Sequence, residues 1–299
     1  MTKAQWKWLI IILASLIGTL IYKLEVHSNL EQTSLLFIGI PAAIAIICVI
    51  TPEPRSATGT ALKAVTLFIG ISGIFLGEGF ICILMASPIF YCVAISIGIS
   101  RDRAKKNSTV ITCLVFIAMV PMSSEGVRPS LSFNREETVT AQRIIEATPD
   151  QIRAALNAQP RLDSKLPFYL RLGFPRPVAV SHQGSGMGSR ETIHFAGGEG
   201  KPGDLVLEVV DEMEQPAPHS TVDGRISYRA VSDSSHVAHW MKWEESTVEW
   251  YVVDANHTRV QWTLRYRRLL DPAWYFGPWE RYAARLAAEQ LIQDTATPR

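Results

Sequence analysis

The sequence predicts a two-part protein. An all-α transmembrane bundle of about five spans is followed by an α+β domain, in which a curved antiparallel sheet wraps around a long C-terminal helix. Three observations predict this. Composition changes near residue 123: the chain before it is mostly apolar, and the chain after it carries most of the charge and the turn formers. The apolar part divides into runs of spanning length. The polar part shifts to a hydrophobic period of two and closes on a tail of helix formers. The expected organisation is therefore a transmembrane domain over 1–123, a linker over 124–135 and a folded domain over 136–297.

The first span is expected near 5–23, on the run WLIIILASLIGTLIY after Lys3 and Lys7. A signal peptide shares the basic start and the short apolar run. Here no small-x-small cleavage site follows and further apolar runs do, so an uncleaved anchor is expected. The second span lies near 34–51. The 40 residues of 61–100 are too long for one span and suit two, near 61–76 and 80–100, with LGEG as the turn between them. Glu78 falls in that turn, at the water boundary rather than inside a membrane. Pro88 is expected to kink the fourth span, and a last span lies near 108–122.

Loop charge orients these spans. RDRAKKNS, at 101–108, holds Arg101, Arg103, Lys105 and Lys106 against the single acid Asp102. Cytoplasmic loops collect Lys and Arg. With a cytoplasmic N-terminus and five spans, this loop and the basic stretch around Arg55 and Lys63 both face the cytoplasm, and the acidic loop at 25–33 faces out. The expected product is an integral protein of the cytoplasmic or inner membrane with its C-terminal domain on the far side. A four-span count would reverse the sides of the last loop and of the domain.

The polar domain begins with a strand over 138–145. Thr148-Pro149-Asp150 then opens a short helix over 149–158, with Thr148 as N-cap, and Pro160 stops it. Strands are expected over 184–195, 205–213, 225–232, 237–244 and 246–253. TRVQWTLRYR, at 258–267, shows the clearest alternation: Val260, Trp262, Leu264 and Tyr266 face one way, polar residues the other. Asp271 is expected to cap the last helix, with Pro272 in its first turn.

Two stretches carry a family resemblance: DPAWYFGPWERYAARLAAE at 271–289, and the glycine-rich start at 184–190. With the element order, they make residues 136–296 resemble the helix-grip superfamily (SRPBCC), which includes START lipid-transfer domains, Bet v 1-like proteins and polyketide cyclase/dehydrase-like proteins. The resemblance implies a cavity between sheet and helix. Lipid binding and cyclase activity each belong to some members only, so the fold does not choose between them. The membrane half is a departure from that family.

The bulk numbers narrow the chemistry. A net charge of +1 over 299 residues gives no basic field, so nucleic acid is not an expected partner. Cys48, Cys82, Cys92 and Cys113 all precede the polar domain, which therefore has no disulfide and no thiol chemistry. No cofactor and no metal are expected. His236 and His239 have a metal-like spacing without companions, and Asp233, Ser235 and His236 are triad types without triad geometry. GSGMGS at 184–189 lacks the GK[ST] ending of a phosphate loop.

Aromatic residues supply the candidates. The cavity lining is expected to include Trp240, Trp250, Val260, Trp262, Leu264, Tyr266 and Trp279, with ordinary core packing as the alternative. Trp240 and Trp243 cannot both face inward on a regular strand. Trp274, Tyr275 and Phe276 are candidates for the membrane interface, or else a staple onto the sheet. Arg259, Arg265, Arg267 and Arg268 form a solvated basic stripe, or a contact for anionic headgroups.

Two functions are expected from this. One is a membrane-anchored module holding a lipid or other hydrophobic small molecule, with membrane lipids as its partners. The other is a cyclase/dehydrase-type enzyme, whose sign would be His194, Glu208 or His239 converging in the cavity. A ligand-free envelope interaction protein is the third alternative, marked by a filled cavity.

Overall fold

The computed structural model describes residues 54–75, 80–103, 125–126, 130, 132–197, 202–213 and 222–298. The chain divides into two compact units, Met1–Ser124 and Glu125–Arg299. The expected spans near 5–23, 34–51 and 108–122, the LGEG turn with Glu78, and residues 104–108 of the basic loop lie outside the described residues.

In the first unit, α1 (Ala57–Phe75) and α2 (Phe80–Asp102) stand where the sequence predicts two helices. Asp102 closes the pair. Its carboxylate accepts the amides of Ala57 (2.5 Å) and Thr58 (2.9 Å) and the Thr58 hydroxyl (2.6 Å), so the end of α2 caps the start of α1. The approach is tight: a Cβ on Gly98 would lie 2.3 Å from the Thr58 Cα. Further along, Thr66 and Tyr91 share a hydroxyl hydrogen bond of 2.8 Å. Among the described residues, one helix, Ile83–Asp102, is long and apolar enough to cross a membrane, and Ala57–Gly70 is a shorter apolar helix.

The second unit is a seven-stranded antiparallel sheet with a long C-terminal helix, the helix-grip arrangement. Its elements are β1 (Glu136–Ile145), α3 (Pro149–Leu156), β2 (Arg176–Gln183), β3 (Arg190–Ala196), β4 (Gly203–Met213), β5 (Gly224–Asp233), β6 (Met241–Val252), β7 (Thr258–Arg268) and α4 (Ala273–Leu291). A π-helical turn, Ile292–Ala296, extends α4. The strand order is β1-β7-β6-β5-β4-β3-β2, so the first strand pairs with the last. Register shifts at Pro177/Ala179, Val206/Leu207, Val209/Asp211 and Trp243/Glu245 mark bulges, which bend strands.

Local chemistry explains the elements. Thr148 and Gln151 form a reciprocal capping box at α3. In β7 the alternation is complete: Val260, Trp262, Leu264 and Tyr266 are all buried. They face α4 and its extension, where Ala284, Ala288 and Ile292 are buried in turn. Small residues on the helix allow close approach. Gly224 does the same on the sheet, because a Cβ there would lie 2.1 Å from the Trp250 ring.

Four expectations are corrected. β2 is an addition to the expected strands: RPVAVSHQ is short, opens beside two prolines and forms the sheet edge. The glycines of 184–189 belong to the β2–β3 turn, where Gly184, Gly186 and Gly188 have φ of 87°, 70° and 80°, and β3 begins only at Arg190. The two strands expected over 237–244 and 246–253 are one strand, β6, preceded by a 3-10 turn at His236–His239. Asp271 does not cap α4. Its carboxylate bonds Arg135 and Arg268 instead, and the Ala273 amide donates to Glu125 Oε2 at 3.0 Å. Glu125, in the stretch read as linker, is thus built into the unit. A Cβ on its neighbour Gly126 would lie 2.1 Å from Asp271 Oδ2.

Candidate functional site

A cavity of about 230 Å³ opens in the second unit, between the sheet, α4 and the segment that follows α3. Its walls are mainly apolar: Leu166, Leu170 and Phe174 from the segment, Ile193 and Phe195 from β3, Leu205 and Leu207 from β4. Trp243, Trp262 and Leu264 form its inner wall, and Ala283, Ala284, Ala287 and Leu291 bring α4 onto it at helical spacing. The volume lies below the range of roughly 300–1,000 Å³ typical of drug-sized sites. It suits a compact molecule or one hydrocarbon segment of a larger one.

Of the expected lining residues, Trp262 and Leu264 reach the cavity. The others do not. Trp250 and Val260 are buried in the filled core beyond it. Tyr266 is fully buried beside Val139, Met241 and Ala284. Trp240 sits at the end of the 3-10 turn, edge-on to Phe174 (5.2 Å) and His236 (5.1 Å). Trp279 is half-buried and stacked on Tyr169 at 6.3 Å. Trp243, one bulge from Glu245, takes the inward place instead of Trp240. At the start of α4, Trp274 is exposed, while Tyr275 and Phe276 are half-buried; the rings meet edge to face at 5.5 and 5.1 Å.

The basic stripe is not free. Arg268 is completely buried and pairs with Glu125 (3.2 Å) and Asp271 (2.7 Å). Arg265 pairs with Glu245 at 3.0 Å, and Arg259 lies over the Tyr251 ring at 4.6 Å. Arg267 is exposed. His194, Glu208 and His239 do not converge in the cavity. His194 bonds Asp204 at 2.8 Å, Glu208 pairs with Arg190 at 3.3 Å, and the His239 ring lies 5.1 Å from His236. Asp233 accepts the Ser235 amide at 2.8 Å, a turn contact rather than a triad. Among the described residues, no group of three or more His, Cys, Asp or Glu side chains could hold a metal ion.

Sequence reasoning missed the polar end of the cavity. His182 on β2 stands directly opposite Glu191 on β3, Glu191 opposite Leu207 on β4, and Leu207 opposite Ala230 on β5. This cross-strand row lines the cavity, and Tyr228 lines it nearby on β5. Burial pushes the Glu191 carboxyl above its ordinary range, against the opposing pull of His182. Burial, then the neighbouring Glu191 and Glu212, push the Tyr228 phenol up. Without β2, the sequence gives His182 no strand and Glu191 no facing partner, so no local signal marks the pair. Elsewhere on the lining, Asp294 accepts Gln290 Nε2 at 3.0 Å, and Ser246 accepts the Trp262 indole N–H at 2.8 Å.

A second polar group lies under the start of α4. Glu280 is buried, and neither carboxylate oxygen finds a hydrogen-bond partner of standard geometry among the described residues. Burial pushes its pKa up to about 8; Arg268 and the Leu270 amide pull the other way, and Glu137 and Asp271 add to the rise.

No family model matches this chain, and no curated protein matches it. Solved structures give distant likenesses. Norcoclaurine synthase from Thalictrum flavum is similar at 12% identity over 53% of this chain and 86% of its own, with a TM-score of 0.32. A protein from Thermus thermophilus is similar at 15% identity over 52% and 89%, with a TM-score of 0.32. The major latex-like protein 151 of Panax ginseng is similar at 12% over 53% and 99%, with a TM-score of 0.29.

Proposed function

We propose that this chain is a membrane-anchored binding protein whose C-terminal domain holds a hydrophobic small molecule, or one chain of a lipid, in the cavity beneath α4. The cavity itself carries the reading. A domain that only docked a partner would be expected to fill the space between sheet and helix, as this one does beside Val260 and Tyr266. The apolar helix Ile83–Asp102 supports the anchor. Loop charge supports an orientation with the domain on the far side of the membrane from RDRAKKNS.

Native mass spectrometry of the full chain, followed by organic extraction, tests the binding. The expected result is a co-purifying apolar molecule that is lost in Ala287→Trp, a substitution that fills the cavity. A folded wild-type chain that is empty and takes up no offered hydrophobic probe would sink the proposal. Orientation has its own test, since the domain has no native cysteine. Ser185→Cys in the exposed β2–β3 turn is expected to react with a membrane-impermeant maleimide in cells whose inner membrane is intact. Labelling only after lysis would reverse the orientation.

An enzyme reading draws on one observation. His182, Glu191 and Tyr228 are titratable groups facing an apolar cavity. Chemical change of the extracted molecule on incubation with the wild-type chain, absent in Glu191→Gln, would favour it over simple binding.

A further inference from the structure

The cavity lining has a one-sided charge. Among the described residues three carboxyl side chains line it, Glu191, Glu245 and Asp294, and no Lys or Arg does. Two of the three are already engaged. Glu245 is paired with Arg265 at 3.0 Å, and Asp294 accepts the Gln290 amide at 3.0 Å. The Glu191 carboxyl makes no side-chain hydrogen bond or ion pair among the described residues; His182 faces it across the β2–β3 pair. An anionic headgroup drawn into this space would meet carboxylates and no fixed cation, and in a half-dry cavity that repulsion is poorly screened. A protonated amine would find the reverse. Glu191 would supply the counter-charge and Tyr228 a phenolic oxygen to accept an ammonium hydrogen. Trp243 and Trp262, on the inner wall, would pack against the hydrocarbon body.

Resting on the cavity reading above, we propose that the ligand is a hydrophobic amine, its ammonium group held at Glu191 between His182 and Tyr228 and its apolar body against Trp243 and Trp262. The same lining rejects fatty acids and other anionic amphiphiles of equal size.

Isothermal titration of the full chain in phosphatidylcholine nanodiscs tests this with three matched probes: phenylpropylamine, phenylpropanol and phenylpropanoate. Empty nanodiscs correct for partitioning into lipid. The amine is expected to bind at least about tenfold more tightly than the carboxylate, with the alcohol between them. Glu191→Gln is expected to weaken the amine about tenfold and to leave the alcohol within about twofold. Equal binding of amine and carboxylate overturns the inference and leaves the cavity reading standing, as does an unchanged ratio in Glu191→Gln. Failure of all three probes to bind removes the cavity reading and this inference with it. Should Glu191→Gln not fold, the wild-type ratio of amine to carboxylate decides alone.

Discussion

The two halves of the sheet are built from the same kind of strand and end differently. On the β1-β7-β6 side, inward residues such as Val248, Val260 and Tyr266 have no exposed surface, and α4 meets them through Ala284 and Ala288. On the β2-β3-β4 side, Ile193, Phe195 and Leu207 are only half-buried and face the cavity. The first half is mostly core and reaches the cavity only through an inner wall that includes Trp243, Trp262 and Leu264, whereas the second half faces the cavity along its strands. The packed part of the sheet can therefore hold the fold while the other part leaves the cavity open.

The greatest loss is expected at the closed end. Arg268→Ala removes a fully buried guanidinium and leaves Glu125 with the Ala273 amide and Asp271 with Arg135, at a cost of about 3–5 kcal/mol read by denaturant unfolding. A change under about 1 kcal/mol would mean the closed end does not depend on this network. Next, Ile152→Ala, in the filled core, is expected to cost about 2–5 kcal/mol. Leu207→Ala on the wall should cost distinctly less, since it is half-buried and leaves no new closed void. Equal losses would erase the distinction between core and wall.

Glu280 gives a pH-dependent effect. Its folded pKa, about 8, lies above the ordinary 4.5, so the folded state holds the proton more tightly than the unfolded chain does. That contribution to stability is complete below 4.5 and is lost as pH rises through about 8. Glu280→Gln should flatten the stability profile over that window and exceed the wild type above it, as thermal melts across pH would show. The finest contrast comes from adjacent positions on α4. Ala288→Leu pushes into the filled half and is expected to cost about 1–3 kcal/mol. Ala287→Leu points into the vacancy and should be nearly neutral in stability while reducing uptake of a hydrophobic probe.

The closed half is also the legible half. In β7 every inward residue is buried and its polar neighbours are more exposed, so TRVQWTLRYR announces its register. β3 and β4 are half-buried almost throughout, because one face looks into a cavity and the other meets partial solvent. Their hydrophobic contrast is weaker for that physical reason. The last helix can be read from its formers, but its cap cannot, because Glu125 comes from 148 positions away. The same holds for the site. Aromatic content points to β6, β7 and α4, where Trp262 and Leu264 do line the cavity, yet Trp250, Val260 and Tyr266 share their pattern and fall in the core. The polar end needs the pairing of β2 with β3, which no local pattern displays.

The tie between Glu125, Arg268 and the first amide of α4 bears on how the chain is made. These contacts span 143 and 148 positions, and among the described strands β1 pairs with β7 alone. During synthesis the first strand must wait, unpaired, until almost the whole domain has emerged. Long-range closure of this kind is slow and exposes strand edges on the way. Truncation before β7 therefore leaves β1 without its strand partner rather than making a smaller domain, and closure of the sheet depends on a segment more than a hundred positions downstream.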